Sequence, residues 1–281
     1  MESLSHLYMM GSACVWFALA GVFSGFLSGL LGLGGAFVLV PSFLAIFGAY
    51  YDFDSKSTLQ LTLGTTMACM VVNAVCATLA QNKKRSVAWP VLISCWPLLC
   101  LGTAIGVFLT SYFPATLIQT AFGCQSLYCG SRMVLRKSPT GAIVGAPRGV
   151  SRGTIFLFSA LCGVLGIGGT TLFVPYLMRS LGIDLKRAMG TVSALQIPVS
   201  LVGTASFVAA GLLLPGTWGA GSAGAVGFVF VPAWLLVSIF SPCFTGLGVT
   251  VAHRIAAPRL RIMFGAFASL VGLKMLHGAL F

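Results

Sequence analysis

The sequence predicts an all-α integral membrane protein: two inverted repeats of about five hydrophobic segments each, with glycine-broken segments meeting near the midplane. Three observations carry this. Apolar residues make up 58% of the 281-residue chain and charged residues only 7%, against about 25% charged in a soluble domain. Lys and Arg stand in short loops between apolar runs. One glycine motif occurs twice, as GFLSGLLGLGGAFVLVP from Gly25 to Pro41 and as SALCGVLGIGGTTLFVP from Ser159 to Pro175.

Ten apolar segments follow in order, at 14–31, 34–49, 57–80, 87–110, 115–135, 153–166, 168–181, 187–209, 224–251 and 259–279. Crossing a bilayer takes about 20 residues, so the second, sixth and seventh are short. Segments one and two, and again six and seven, are separated only by the glycine motif. Each pair reads as two tilted spans or as a hairpin with its tip inside the membrane. The first Lys or Arg is Lys56, so no basic region precedes the first apolar run, which is expected to be retained rather than cleaved. The expected organisation is an extracytoplasmic N-terminus (1–13), a first transmembrane repeat (14–135), a cytoplasmic linker (136–152) and a second, inverted repeat (153–279).

The net charge of +12 would point to nucleic acid only if the basic residues shared a face. Instead they mark topology. Lys83, Lys84 and Arg85 follow segment three; Arg132, Arg136, Lys137, Arg148 and Arg152 flank the linker. Arg179, Lys186 and Arg187 follow segment seven; Arg254, Arg259 and Arg261 follow segment nine. Alternating sides puts all of these together, on the cytoplasmic side of the cell membrane. Lys56, Lys274, Glu2, Asp52 and Asp54 fall opposite, and both termini are expected outside. The expected partners are the lipid bilayer and a small anionic substrate, with no nucleic acid.

The repeat extends beyond the glycines. Gly29, Gly32, Gly34, Gly35 and Pro41 match Gly163, Gly166, Gly168, Gly169 and Pro175 at an offset of 134. Gly64-Thr65 matches Gly190-Thr191 at 126; Gly106, Phe122-Gly123, Gly130 and Met133 match Gly248, Phe264-Gly265, Gly272 and Met275 at 142. Five segments per half is an odd number, so the halves lie inverted, the architecture of many secondary transporters with a site at the midplane.

Clustered glycines mark where a helix is meant to stop, and a broken backbone in hydrocarbon is tolerated only where it is buried or lines a cavity. Segments beginning at Gly34 and Gly168 would present free N–H groups and the positive end of a helix dipole. Two such ends make an anion site without a fixed charge. The candidate substrate-binding residues are therefore Gly32, Gly34, Gly35 and Ala36 in the first turn, and Gly166, Gly168, Gly169, Thr170 and Thr171 in the second. Neutral polar helpers are Thr65, Thr66 and Asn73 on segment three, with Thr62 on the same face, and Thr191 and Gln196 on segment eight, with Ser193 and Ser200 beside Gln196. Pro198 is expected to break segment eight. The alternative is that all these glycines and hydroxyls only pack helices, in a channel-like or structural subunit; Gly25-x-x-x-Gly29 and Gly102 to Gly106 read that way.

No Asp, Glu, Lys, Arg or His falls at mid-membrane depth, so a side-chain proton relay has no candidate. No catalytic constellation, metal-ligand spacing or cofactor motif is present: the chain is expected not to be an enzyme and to carry no cofactor or metal. Nine cysteines lie in apolar segments without a C-x-x-C pair and read as small buried hydrophobes.

The paired GLLGLGG…Pro41 and GVLGIGG…Pro175, the Gly-Thr pairs at Gly64 and Gly190, and the terminal Gly130 to Met133 and Gly272 to Met275 resemble the TauE/SafE family of sulfite exporters, over about residues 15–278. The resemblance implies a multi-pass plasma-membrane permease for sulfite, sulfoacetate or related oxyanions. Ala36-Phe37 departs from the family pattern, where a further small residue is common, so the resemblance implies unequal half-sites. The high cysteine count has no counterpart in that pattern.

Overall fold

The computed structural model describes residues 2–31, 35–50, 54–135, 151–213 and 224–280. Gly32 and Gly34 lie outside them. The described chain is an all-α integral membrane protein with ten helices: α1 (Glu2–Leu31), α2 (Ala36–Tyr50), α3 (Ser55–Lys83), α4 (Trp89–Thr110), α5 (Ala115–Leu135), α6 (Arg152–Leu165), α7 (Thr170–Leu181), α8 (Leu185–Leu213), α9 (Val231–Arg254) and α10 (Ala257–Leu280). Each matches one expected segment. Six are long and apolar enough to cross a membrane, in α1, α3, α4, α8, α9 and α10. Helix α5, with 21 residues, has a spanning length of about 31 Å but carries Gln119, Gln125 and Ser126. Helices α2, α6 and α7 have only 15, 14 and 12 residues.

Three local expectations need correction. The first helix does not begin at 14: α1 already starts at Glu2, inside the stretch expected to precede the first apolar segment. Segment nine does not begin as a helix at 224. Ala225–Val226 and Val229–Phe230 pair as a small antiparallel hairpin, and α9 starts only at Val231, with Pro232 in its first turn. Nor does Pro198 break α8, which runs unbroken through it. The ring removes one backbone bond, but ending the helix there would strand several peptide groups in hydrocarbon.

Close-packed glycines set the helix pairing. A methyl group on Gly29 would overlap the Thr245 carbonyl, one on Gly25 the Ser241 carbonyl, and one on Gly248 the Phe26 carbonyl. Residue numbers rise together, so α1 and α9 run parallel. The same contact recurs between α4 and α6, where Gly106 backs onto Ala160 and Gly163 onto Thr103. Helices α5 and α10 are antiparallel, Gly272 lying against the Gly123 carbonyl (2.8 Å to an added methyl) and Gly130 against that of Gly265 (2.6 Å). Helices α3 and α8 are antiparallel too: Gly64 faces Phe207 and Gly203 faces Met67.

Exchanging α1–α5 with α6–α10 maps these pairs onto one another. The α1–α9 pair becomes α6–α4, α3–α9 becomes α8–α4, α2–α3 becomes α7–α8, and α3–α8 and α5–α10 map onto themselves. Because α3 and α8 are counterparts and antiparallel, the two halves run in opposite directions along the bundle. These two helices are also the most buried spans, at 67% and 61% against 33% for α9. Around Phe17 and Phe47 of α1 and α2, Phe43 and Phe230 close one aromatic cluster at 5.6–6.3 Å between rings.

The crossings are intolerant of volume. Gly29→Ala and Gly106→Ala should each lower folded stability by about 1–3 kcal/mol, seen as earlier thermal unfolding in detergent. Gly48→Ala, where a methyl meets nothing within 4 Å, should not.

Candidate functional site

Both glycine turns reach the middle of α3. The second is well defined. Gly166 ends α6 in the left-handed conformation (φ 64°), and Gly169 opens α7 in the same region (φ 75°). The amide of Ile167 returns to the Cys162 carbonyl at 3.1 Å, and the Gly169 carbonyl accepts from Leu172 and Phe173 at 3.0 and 2.8 Å. In the first turn Gly35 has φ 85°, and its carbonyl accepts from Val38 and Leu39, both at 3.0 Å. These are the same bonds, 134 residues apart. The helix starts thus lie at Ala36 and Thr170, two residues later than read from sequence. No acidic residue stands in the first turn of either helix, so both positive ends are unneutralised by their own side chains.

On α3, Leu63 packs against Gly166 and Met70 against Gly168, while Asn73 packs against Gly35. These contacts span the central third of a 29-residue helix. Since α6 starts and α7 ends at the same end of the bundle, this pair is a hairpin whose tip lies at mid-height. Gln196 of α8 also lies against Gly168, and its amide donates to the Thr170 hydroxyl. Gly35, Ala36, Gly166, Gly168, Gly169, Thr170, Asn73 and Gln196 are therefore brought together, and all are buried.

Thr171 points elsewhere: its hydroxyl accepts from the Gln125 amide at 3.2 Å and its carbonyl from the Cys129 thiol at 3.1 Å, both on α5. Thr65 and Thr191 also have other tasks. Thr65 accepts the amide of Phe230 at 2.9 Å, and Thr191 that of Ala88 at 3.1 Å. Phe230 and Ala88 are the N-caps of α9 and α4, so each Gly-Thr pair anchors the entry of a helix in the other half. Beside them, methyls on Gly64 and Gly190 would collide with the carbonyls of Phe228 and Ser86. Ser193 and Ser200 bond their own helix, at 3.0 and 2.8 Å.

On the α3 stripe with Asn73, the hydroxyls of Thr62 and Thr66 are fully buried and have no hydrogen-bond partner among the described residues. Such a hydroxyl costs about 1–3 kcal/mol, so the stripe holds polarity that the fold does not use.

Several residues here were not singled out from sequence. Ser24 packs against Gly35, and Ser241 of α9 donates to the Asn73 side chain. Ser24 and Ser28 are four apart just ahead of the first motif, a helical-face signal present in the sequence. Ser241 had none, because its partner is 168 residues away. At the matching offsets, Ser24, Asn73 and Ser241 correspond to Phe158, Val199 and Leu99. The surroundings of Gly169 are accordingly apolar, Phe173 and Cys162 lying 2.6 and 2.7 Å from an added methyl. Gly35 thus has polar neighbours and its counterpart Gly169 apolar ones, while Gly168 of the second turn lies against Gln196.

Against known families, residues 17–275 match the one described as "Sulfite exporter TauE/SafE". The chain belongs to this family. A protein of Haemophilus influenzae described as "Probable membrane transporter protein" is 25% identical over 270 residues, covering 92% of this chain and 96% of the relative. "Probable membrane transporter protein YunE" of Bacillus subtilis is 25% identical, covering 73% and 85%. "Probable membrane transporter protein MJ0441" of Methanocaldococcus jannaschii is 24% identical, covering 92% and 93%. No solved structure matches. As a TauE/SafE member the chain is a multi-pass membrane transporter, and the matched region contains both glycine turns.

The unused hydroxyls separate binding from packing. Thr66→Val should unfold no earlier than the parent and gain up to about 1 kcal/mol. Gly169→Ala should unfold earlier, since it adds left-handed strain of about 1–2 kcal/mol to the collision with Phe173. Thermal unfolding of the purified variants checks both.

Proposed function

We propose that this transporter is a permease for small oxyanions, sulfite or organosulfonates, working in the outward direction across the cell membrane. Two five-helix repeats, 14–135 and 153–279, lie inverted in the bilayer, with 136–152 in the cytoplasm and both termini outside. The substrate sits between the two turns, at Gly35, Ala36 and Gly166 to Thr170, and Gly32 and Gly34, which lie outside the described residues, are proposed to bind it as well. Asn73, Gln196 and Thr66 supply neutral donors from α3 and α8. Thr65, Thr171 and Thr191 act indirectly, by holding the helices that frame the site.

The observation carrying this reading is that two helix N-termini both abut the middle of α3, at Asn73 and Met70, the second of them also meeting Gln196 of α8. In low dielectric, N–H groups and dipole ends attract an anion, while a fixed Lys or Arg there would bind it too tightly and cost several kcal/mol to bury. Export follows from the potential: an anion leaving a negative interior gains about 2.3 kcal/mol per charge per 100 mV.

A channel-like or structural role is the second reading. It is favoured by Gly29, Gly106, Gly163 and Gly248, whose task is helix contact. The turns themselves do not need that role, because their glycines serve backbone conformation.

The decisive test is anion flux in proteoliposomes under an imposed potential, with sulfite, sulfate, thiosulfate, sulfoacetate and chloride. Sulfite or sulfonate flux should follow the potential, and Thr66→Val should slow it about tenfold, the worth of one hydrogen bond to a charged group. Folded protein that moves none of these anions would return the assignment to the structural reading.

A further inference from the structure

At the end of the bundle carrying the basic loops, Lys84 and Arg85 after α3, Lys186 and Arg187 opening α8, and His253 closing α9 surround an open recess of about 400 Å³ with one acid, Asp184. A bias of basic residues toward one membrane face explains their side. It does not explain why three separate elements bring them round one hollow, nor two further features.

The first is Arg85. The turn after α3 is a Schellman closure: the Arg85 amide returns to Asn82 at 2.9 Å and the Ser86 amide to Gln81 at 3.2 Å. The left-handed residue of this closure is ordinarily glycine. Here it is Arg85, the one non-glycine residue with positive φ (54°) among those described. The second is α8, whose first turn holds Lys186 and Arg187, two cations against the single acid, Asp184, just ahead of the helix. Cations at a helix N-terminus add to the positive dipole end instead of neutralising it. The side chains are also pinned: Lys186 Nζ donates to the His253 carbonyl at 2.9 Å, and His253 Nε2 meets Gln81 Oε1 at 2.9 Å. At the matching positions of the other half, Lys84, Arg85, Lys186 and Arg187 become Ala210, Gly211, Gln60 and Leu61. The frame is duplicated and the charge is not.

We propose that this recess is a binding site for an oxyanion group of the sulfate, sulfonate or phosphate class, carried by a free anion or by a lipid headgroup. It is separate from the midplane site and needs no transport to be occupied, so its test reads binding alone.

Purified chain in neutral detergent is unfolded thermally in rising sodium sulfate and, at matched ionic strength, sodium chloride. A second arm replaces sulfate by phosphatidylglycerol in the micelle. The variants are Arg85→Gly, Arg187→Gln and, away from the recess, Arg152→Gln. Arg85→Gly should unfold no earlier than the parent without ligand, because glycine suits the turn. Sulfate should stabilise the parent saturably and beyond chloride. Arg85→Gly and Arg187→Gln should each weaken the apparent affinity about tenfold, as loss of a charge-assisted contact does, and Arg152→Gln should leave it unchanged. Saturation by phosphatidylglycerol alone, with the same dependence on Arg85 and Arg187, supports the site and makes the lipid its source. No saturation in either arm, or equal weakening in all three variants, overturns it.

Discussion

The constraint on which this molecule rests is that a peptide group without a partner is expensive in hydrocarbon. Interrupting a helix at mid-height exposes several at once, so the interruptions exist only where other protein surrounds them. That is the place α3 and α8 occupy. They are the most buried spans, and both turns press against α3 with Leu63, Met70 and Asn73 as the contacting side chains. The left-handed glycines at 35, 166 and 169 let each turn close within a few residues. The same constraint keeps α8 continuous through Pro198: losing one bond is tolerable, while losing a turn of bonds is not.

What was legible in the sequence follows from how local the physics is. Apolar runs bounded by charge or glycine are local, and all ten helices were readable, though α1 starts at Glu2 rather than 14 and α9 at Val231 rather than 224. The duplicated motif was readable as a helix break, because the φ that glycine permits is a property of one residue. Partners far apart in the chain were not. Thr65 and Thr191 were read as substrate donors, yet each meets a backbone amide 165 or 103 residues away, and nothing near either position announces it. The hairpin at Ala225–Phe230 was absorbed into segment nine for a related reason: its two-residue strands are apolar, and only their pairing distinguishes them from the start of a helix.

Glycine count misleads in the same way unless position is known. Within one motif, Gly29 and Gly163 serve interhelical contact, and Gly35, Gly166 and Gly169 serve backbone conformation. The two classes are less than two helical turns apart, and that spacing gives the site its rigidity. The crossing fixes α1 on α9 and α6 on α4, and the helix that follows each turn is aimed from a fixed point. The inequality of the half-sites sits on top of this shared frame. Ser24, Asn73 and Ser241 stand where the other half has Phe158, Val199 and Leu99, so the same backbone geometry has polar neighbours at Gly35 and apolar ones at Gly169.

The packing also says which helices are held together. Among the described residues, the glycine crossings between helices α1 and α9, α6 and α4, and α5 and α10 each join one half to the other. The sequence halves are therefore not mechanical units, and rocking one against the other would tear the closest contacts in the molecule. The units that keep those contacts are mixed ones. Helices α1, α2, α3 and α9 share one apolar cluster with the hairpin, and the counterpart group is α6, α7, α8 and α4. The two groups meet along α3 and α8, where Gly203 packs on Met67 and where the hairpin is held against α8 by Gly211 and Gly227, so this contact too is a close one.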